Sequence, residues 1–250
     1  MKMPVKKMLS GSTLKWIAIL TMLIDHIGAC ILEVFVLDYY GISPLGGYVS
    51  GERFSFWYEA DMALRLTGRI AFPVFCFLLV EGALHTRNMG RYAGRLAVFA
   101  LVSEIPFDLA FHDKIFYPGG QNVFLTLLLG LLAIWILKSS KGELWRTPAA
   151  VLAPALAAEY LHTDYGALGV LVILLMYILR NVPWLRFLAC YGALVFLSPL
   201  EWPCILSFVL IALYSGERGR QPRYFFYVFY PAHLVLLWTI GRFVLPSLLY

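Results

Sequence analysis

Asp25 and His26 stand side by side in Thr13 to Leu37, a run that otherwise reads as a membrane span. Ionisable groups in hydrocarbon are costly unless paired or wetted, so a carboxylate and an imidazole at such depth mark a site by default. Further along lie Arg65 with Arg69, Glu104 with Asp108, and His233. Residues four apart share a helix face, so the arginines form a cationic stripe and the two acids an anionic one, natural mutual partners. An imidazole takes a proton from an attacking amine or hydroxyl near neutral pH, and a guanidinium held by carboxylates steadies a developing oxyanion. Asp25 and His26 are about 100° apart around a helix, so Asp25 is expected to pair with a second-helix arginine, leaving His26 to face a cavity. The alternative is a purely structural ion network between helices.

The elements that must position these groups follow from composition. The chain has 250 residues, 61% hydrophobic and 14% charged, which excludes an ordinary soluble domain. It reads as a single all-α integral-membrane domain over 1–250. Hydropathy gives nine spans, near 13–37, 61–84, 92–111, 122–138, 148–162, 165–180, 183–199, 202–215 and 224–247. With the N-terminus cytoplasmic, 15 of the 20 Lys and Arg fall in inner segments, as cytoplasmic loops require. The net charge of +5 therefore describes topology, and no nucleic-acid surface is expected. The N-terminal run is too long for a cleaved signal peptide and is expected to be a retained helix.

Helix rise places His26 roughly 16 Å into a hydrocarbon core of about 30 Å, with Arg69, Glu104, Asp108 and His233 in the same central layer. Pro73, Pro106 and Pro231 are expected to bend their helices. The longest connection, Asp38 to Ala60, is expected as an aromatic-rich outer loop. Gln121, Asn122 and Thr126 are candidates to donate hydrogen bonds into the site or to hold helices together. Arg87, Arg91 and Arg95 form a cationic row at the cytoplasmic mouth, suited to headgroups or to the phosphates of a cytosolic donor; Arg218 and Arg220 suit the same task. Cys30, Cys76, Cys190 and Cys204 stand singly, without zinc spacing, so no metal is expected. Glu81 and His85 do not form a zinc-protease motif, and no GxSxG elbow occurs.

The segments SGSTLKWIAILTMLIDHIG (10–28), RLTGRIAFPVFCFLLVEGALHTRN (65–88), RLAVFALVSEIPFDLAF (95–111), QNVFLTLLLGLLAI (121–134), DYGALGV (164–170) and FYPAHL (229–234) resemble the TraX family of membrane proteins, nearly end to end. The resemblance implies acetyl transfer in the bacterial cytoplasmic (inner) membrane: the family's namesake resembles in role an acetyltransferase that caps the N-terminal amine of conjugative pilin. A first-helix histidine followed by an arginine-bearing second helix is also similar to the wider transmembrane acyltransferases that use cytosolic acetyl-CoA. That similarity implies His26 as the catalytic histidine.

The expected roles are then His26 as general base, Arg69 with Asn122 or Thr126 steadying the oxyanion, and Asp25, Glu104 and Asp108 holding the arginines. His233 is the second candidate base. Arg65, Arg87, Arg91 and Arg95 are expected to help hold acetyl-CoA, the co-substrate. The acceptor is an amine or hydroxyl on a peptide, a pilin-like protein or a small molecule. The rival readings are a proton-coupled transporter, which ordinarily carries repeats not found here, and a noncatalytic membrane scaffold, whose function would tolerate Arg69→Lys.

Overall fold

The computed structural model describes residues 8–38, 52–139, 146–220 and 224–249. Among these residues the regular structure is helical, with isolated backbone bridges joining Leu9 to Tyr214 and Gln121 to Thr163.

The first rod, α1 (Gly11–Ile27), starts where Ser10 Oγ accepts the Thr13 N–H at 3.2 Å, satisfying one of the orphan donors of a helix start. It runs straight into a π-helical segment, Gly28–Val36. Next come α2 (Glu52–Gly68) and α3 (Ala71–His85), interrupted at Arg69 and Ile70. Pro73 explains the break: it has no N–H for the carbonyl of Arg69, and its ring crowds that turn. At the break, the Ile70 carbonyl accepts from Ser207 Oγ at 3.0 Å, which ties a neighbouring helix to the start of α3.

The helix α4 (Met89–His112) is capped by Asn88, whose Oδ1 accepts from Arg91 N at 2.8 Å, and ends at Asp113 in left-handed backbone. Then follow α5 (Val123–Ser139), α6 (Arg146–Tyr160), α7 (Gly166–Ile178), α8 (Pro183–Leu197), a 3-10 turn (Pro199–Cys204), α9 (Ile205–Ala212) and α10 (Phe225–Thr239). A short π-helical segment (Ile240–Val244) and α11 (Leu245–Leu249) close the described chain. Pro106 and Pro231 lie inside the continuous α4 and α10.

Helix α3 is central, packed against α1, α5, α7 and α9. Its buried Phe72, Val74 and Phe77 share one core with Leu14, Leu131, Ile173 and Leu234. Large apolar side chains also point outward: Leu101 is 78% exposed and Phe196 83%. An apolar exterior around an apolar core is the arrangement of a helical membrane protein.

The expectation of nine spans is corrected. Each of the nine hydrophobic segments is helical, but only Gly11–Val36, Arg53–His85 and Phe225–Ser247 are long and apolar enough to cross a membrane among the described residues. Two causes separate the rest. The 13 residues of α7 rise only about 20 Å against a core of about 30 Å. The 24 residues of α4 are long enough, but carry Arg91, Arg95, Glu104 and Asp108. The expected loop from Asp38 to Ala60 is corrected in part: residues 52–60 are helical, while 39–51 lie outside the described residues.

Helix ends sort by charge. Lys15, His85, Arg95 and Arg218 line one cavity; Lys138 Nζ donates to the Ala83 carbonyl at 2.9 Å, and Arg186 lies over the Phe77 ring. This basic end holds the starts of α1, α4 and α10 and the end of α3. At the opposite end Arg242 pairs with Asp113 at 3.0 Å, and Trp238 Nε1 donates to the same carboxylate at 2.7 Å.

Candidate functional site

Two guanidiniums organise the buried charge. Arg65 Nη1 reaches Asp25 Oδ2 at 2.5 Å and its Nε reaches Glu33 Oε1 at 2.9 Å. Arg69 Nη2 lies 3.5 Å from Asp25 Oδ1, and its Nη1 donates to Glu201 Oε1 at 2.9 Å. The Arg69 Nε donates to the Arg65 carbonyl at 3.1 Å, which fixes the fork at the Pro73 break. Asp25 thus bridges both arginines of the second rod. Close approach makes this possible: at Gly68 a Cβ would fall on the Asp25 carboxylate.

Glu33 and Glu201 are members that sequence reasoning missed. With α winding, Glu33 would stand about 80° around the helix from Asp25. The wider π turn brings it back to the Asp25 face, so both acids meet Arg65. Glu201 sits in the 3-10 turn between two hydrophobic segments, 2% exposed. Its one available signal was an acid at the border of an apolar run.

His26 and His233 meet across α1 and α10, Nδ1 to Nε2 at 2.6 Å, with ring planes 3° apart. The partner of the second ring decides the protons. His233 Nδ1 lies 2.8 Å from the Phe229 carbonyl; a carbonyl only accepts, so that nitrogen carries hydrogen. In a neutral ring Nε2 of His233 is then the acceptor, and Nδ1–H of His26 is the donor. Nε2 of His26 is therefore left with its electron pair, the form a general base needs. Phe111 stands edge-on to the His26 ring at 5.5 Å and Tyr230 at 5.9 Å, giving the pair an aromatic enclosure.

The structure does not bring Glu104 and Asp108 to the arginines. Glu104 Oε2 accepts from Asn122 Nδ2, and Asp108 Oδ2 accepts from Tyr117 N at 2.8 Å. Asn122 Nδ2 also donates to the Ala100 carbonyl at 2.8 Å, so both amide hydrogens are engaged. Thr126 gives its hydroxyl hydrogen to the Asp164 carbonyl. Asn122 and Thr126 therefore hold loops against helices and have no donor left for an oxyanion, whereas Arg69 retains N–H groups on both Nη atoms beyond its two carboxylate bonds.

Two cavities adjoin at the basic end. One, of about 350 Å³, is walled by Lys15, Glu81, His85, Arg95 and Arg218 among others. The other, narrower and about 100 Å³, is lined by Leu79, Leu96, Leu127 and Tyr230. Lys15, Leu78, Tyr92 and Tyr227 line both. Tyr230 is on the lining of the narrow one, and its ring lies 5.7 Å from that of His233; His26 itself, expected to face a cavity, lines neither of the two. Of the expected arginine row, Arg95 lines the mouth, while Arg87 and Arg91 are exposed on the surface. A third cavity, of about 570 Å³, lies at the other end of α3 and includes Arg69, Asp164 and Glu201. Asp164 sits there in the turn between α6 and α7; burial, with the nearby Asp25 charge, pushes its carboxyl up to about 6.

Residues 10–241 match the family described as TraX protein. The chain is 30% identical over 207 residues to a Dichelobacter nodosus protein named "Probable fimbrial assembly protein FimC, serogroup H1", a match covering 72% of this chain and 84% of the relative. It is 28% identical over 198 residues to "Protein TraX" of Escherichia coli, covering 70% and 75%. No solved structure matches.

Proposed function

Because the chain belongs to the TraX family, we propose that it is a membrane-embedded acetyltransferase, moving acetyl from cytosolic acetyl-CoA to an amine or hydroxyl acceptor in the bacterial inner membrane. The observation that carries this reading is the His26–His233 couple, whose proton arrangement leaves His26 Nε2 basic, and whose rings pack on Tyr230, a residue that also lines the cavity adjoining the cationic mouth. Lys15, Arg95 and Arg218 offer a seat for the nucleotide phosphates. The narrow apolar cavity suits the thioester arm, and Tyr230 marks where it would meet the histidines.

In this reading Nε2 of His26 removes the proton from the acceptor as it attacks the thioester carbonyl. The nitrogen or oxygen to carbon bond forms, negative charge develops on the carbonyl oxygen, and Arg69 supplies N–H groups to it. Collapse breaks the carbon–sulfur bond, and the imidazolium returns its proton to the leaving thiolate. His233 holds the His26 ring and tautomer, and stabilises the imidazolium through the Nδ1–H bond. Asp25, Glu33 and Glu201 keep the guanidiniums in place.

The name of the Dichelobacter nodosus relative extends the proposal to fimbrial assembly as the setting. Purified protein in detergent should bind acetyl-CoA and, with a free-amine peptide, release CoA thiol while labelled acetyl appears on the peptide. Absence of acetyl-CoA binding and turnover, with substrate flux driven by a proton gradient instead, would replace the enzyme by a transporter.

A further inference from the structure

The narrow cavity assigned to the thioester arm has four polar side chains on its lining: Lys15, Tyr92, Tyr227 and Tyr230. The first three also line the basic mouth, whereas Tyr230 does not. Tyr230 is 3% exposed, and its ring lies edge-on to both histidines, 5.9 Å from His26 and 5.7 Å from His233. It precedes His233 by three residues on α10, a spacing that puts both on one helix face. Neither histidine lines the cavity, so Tyr230 is the polar group through which the cavity meets the pair.

The hydroxyl is disposed to donate. Its oxygen accepts from the backbone N–H of Val123 at the start of α5, and no side chain among the described residues takes its hydrogen. A hydroxyl that accepts one hydrogen bond donates a stronger one. Phe124 packs edge-on at 5.0 Å and holds the ring from the α5 side. In an apolar cavity no water is at hand for charge developing on a carbonyl oxygen, so a fixed donor there contributes more than it would in solution. Arg69 lines the cavity at the other end of α3; on the thioester's own side the donor is Tyr230.

We propose that Tyr230 is a catalytic residue of the acetyl transfer, its O–H donating a hydrogen bond to the thioester carbonyl oxygen in addition to the N–H groups of Arg69. The proposal rests on the acetyltransferase reading and deepens it. With a hydrogen bond of about 3 Å on each side, hydroxyl to carbonyl and acceptor to imidazole, the reacting groups bridge Tyr230 and His26. As the acceptor's nitrogen or oxygen bonds to the carbonyl carbon, an electron pair moves onto the carbonyl oxygen and the Tyr230 bond strengthens; His26 holds the acceptor's proton. The pair then returns, the carbon–sulfur bond breaks, and the thiolate recovers the proton from His26. Tyr230 keeps its own hydrogen throughout.

The test compares acetyl-CoA with dithioacetyl-CoA, in which C=S replaces C=O, using full-length protein in detergent and a free-amine peptide as acceptor. Sulfur is a weak hydrogen-bond acceptor, so the dithioester gains little from the hydroxyl. Tyr230→Phe keeps the ring and should lower kcat for acetyl-CoA about 10²-fold with KM nearly unchanged. It should also lower the ratio of acetyl to dithioacetyl turnover about tenfold. If the bare Val123 N–H prevents that variant from folding, the double variant Tyr230→Phe with Val123→Pro removes both partners, proline being accepted at the first position of a helix, and should give the same two results. Wild-type turnover in the folded variant overturns the proposal and leaves the enzyme standing. A fall in kcat with the ratio unchanged assigns Tyr230 to holding the histidine rings and overturns it equally. Absence of acetyl-CoA turnover in wild type overturns the enzyme reading and the proposal with it.

Discussion

His233→Phe removes the acceptor for the His26 Nδ1–H yet keeps an aromatic ring between Phe229 and Tyr230, which pack on His233 at 4.8 and 5.7 Å. The change costs a hydrogen bond between enclosed partners, about 1–3 kcal/mol, and frees the His26 proton to move to Nε2. At about 1.4 kcal/mol per tenfold, the expected loss in acetyl transfer is about 5- to 150-fold. His26→Ala, which removes the base itself, should cost about 10²- to 10⁴-fold. Because His233 acts only through His26, the double variant should be no slower than His26→Ala. The assay is release of CoA thiol from acetyl-CoA in the presence of a free-amine peptide, with thermal melting as the fold control. Wild-type rates in His233→Phe, or full additivity in the double variant, would refute the relay assigned from the 2.6 and 2.8 Å contacts.

Gly68→Ala should lower stability by about 1–3 kcal/mol, because the new methyl displaces the Asp25 carboxylate or pushes α2 from α1; Gly94→Ala, where a Cβ meets nothing within 4 Å, should be silent in the same melting experiment. Arg95→Gln should raise the KM for acetyl-CoA about tenfold with kcat unchanged, and should flatten the salt dependence of that KM, since the arginine lines the mouth rather than the histidine pair.

Much of the scaffold was readable because apolar runs become helices wherever they are long enough, and all nine did. Crossing capacity was not readable in the same way: the rod that Pro73 interrupts stays long enough to cross, whereas the turns around Pro199 and Gly166 shorten others. In the site, the Asp25 pairing with the second rod follows from charge in an apolar setting. Depth put His26 and His233 in the same layer, but 207 residues separate them, and only packing of α10 beside α1 turns shared depth into contact. The acid stripe of α4 complements the arginine stripe in charge, yet α4 packs mainly on α5 and α10 and only lightly on the π segment, while α2 packs on α1 and the π segment. Neighbour choice among helices depends on side-chain fit and loop geometry, which a list of charges does not contain.

The π-helical stretch Gly28–Val36 makes chain length itself part of the site. Each such turn takes up more residues than an α turn, so the phase of Glu33, and of Phe35 against Gly241, depends on how many residues are fitted in as well as on which they are. Loss of a single apolar residue from this stretch would look harmless by composition, and would still turn an arginine's second carboxylate toward the wrong neighbour.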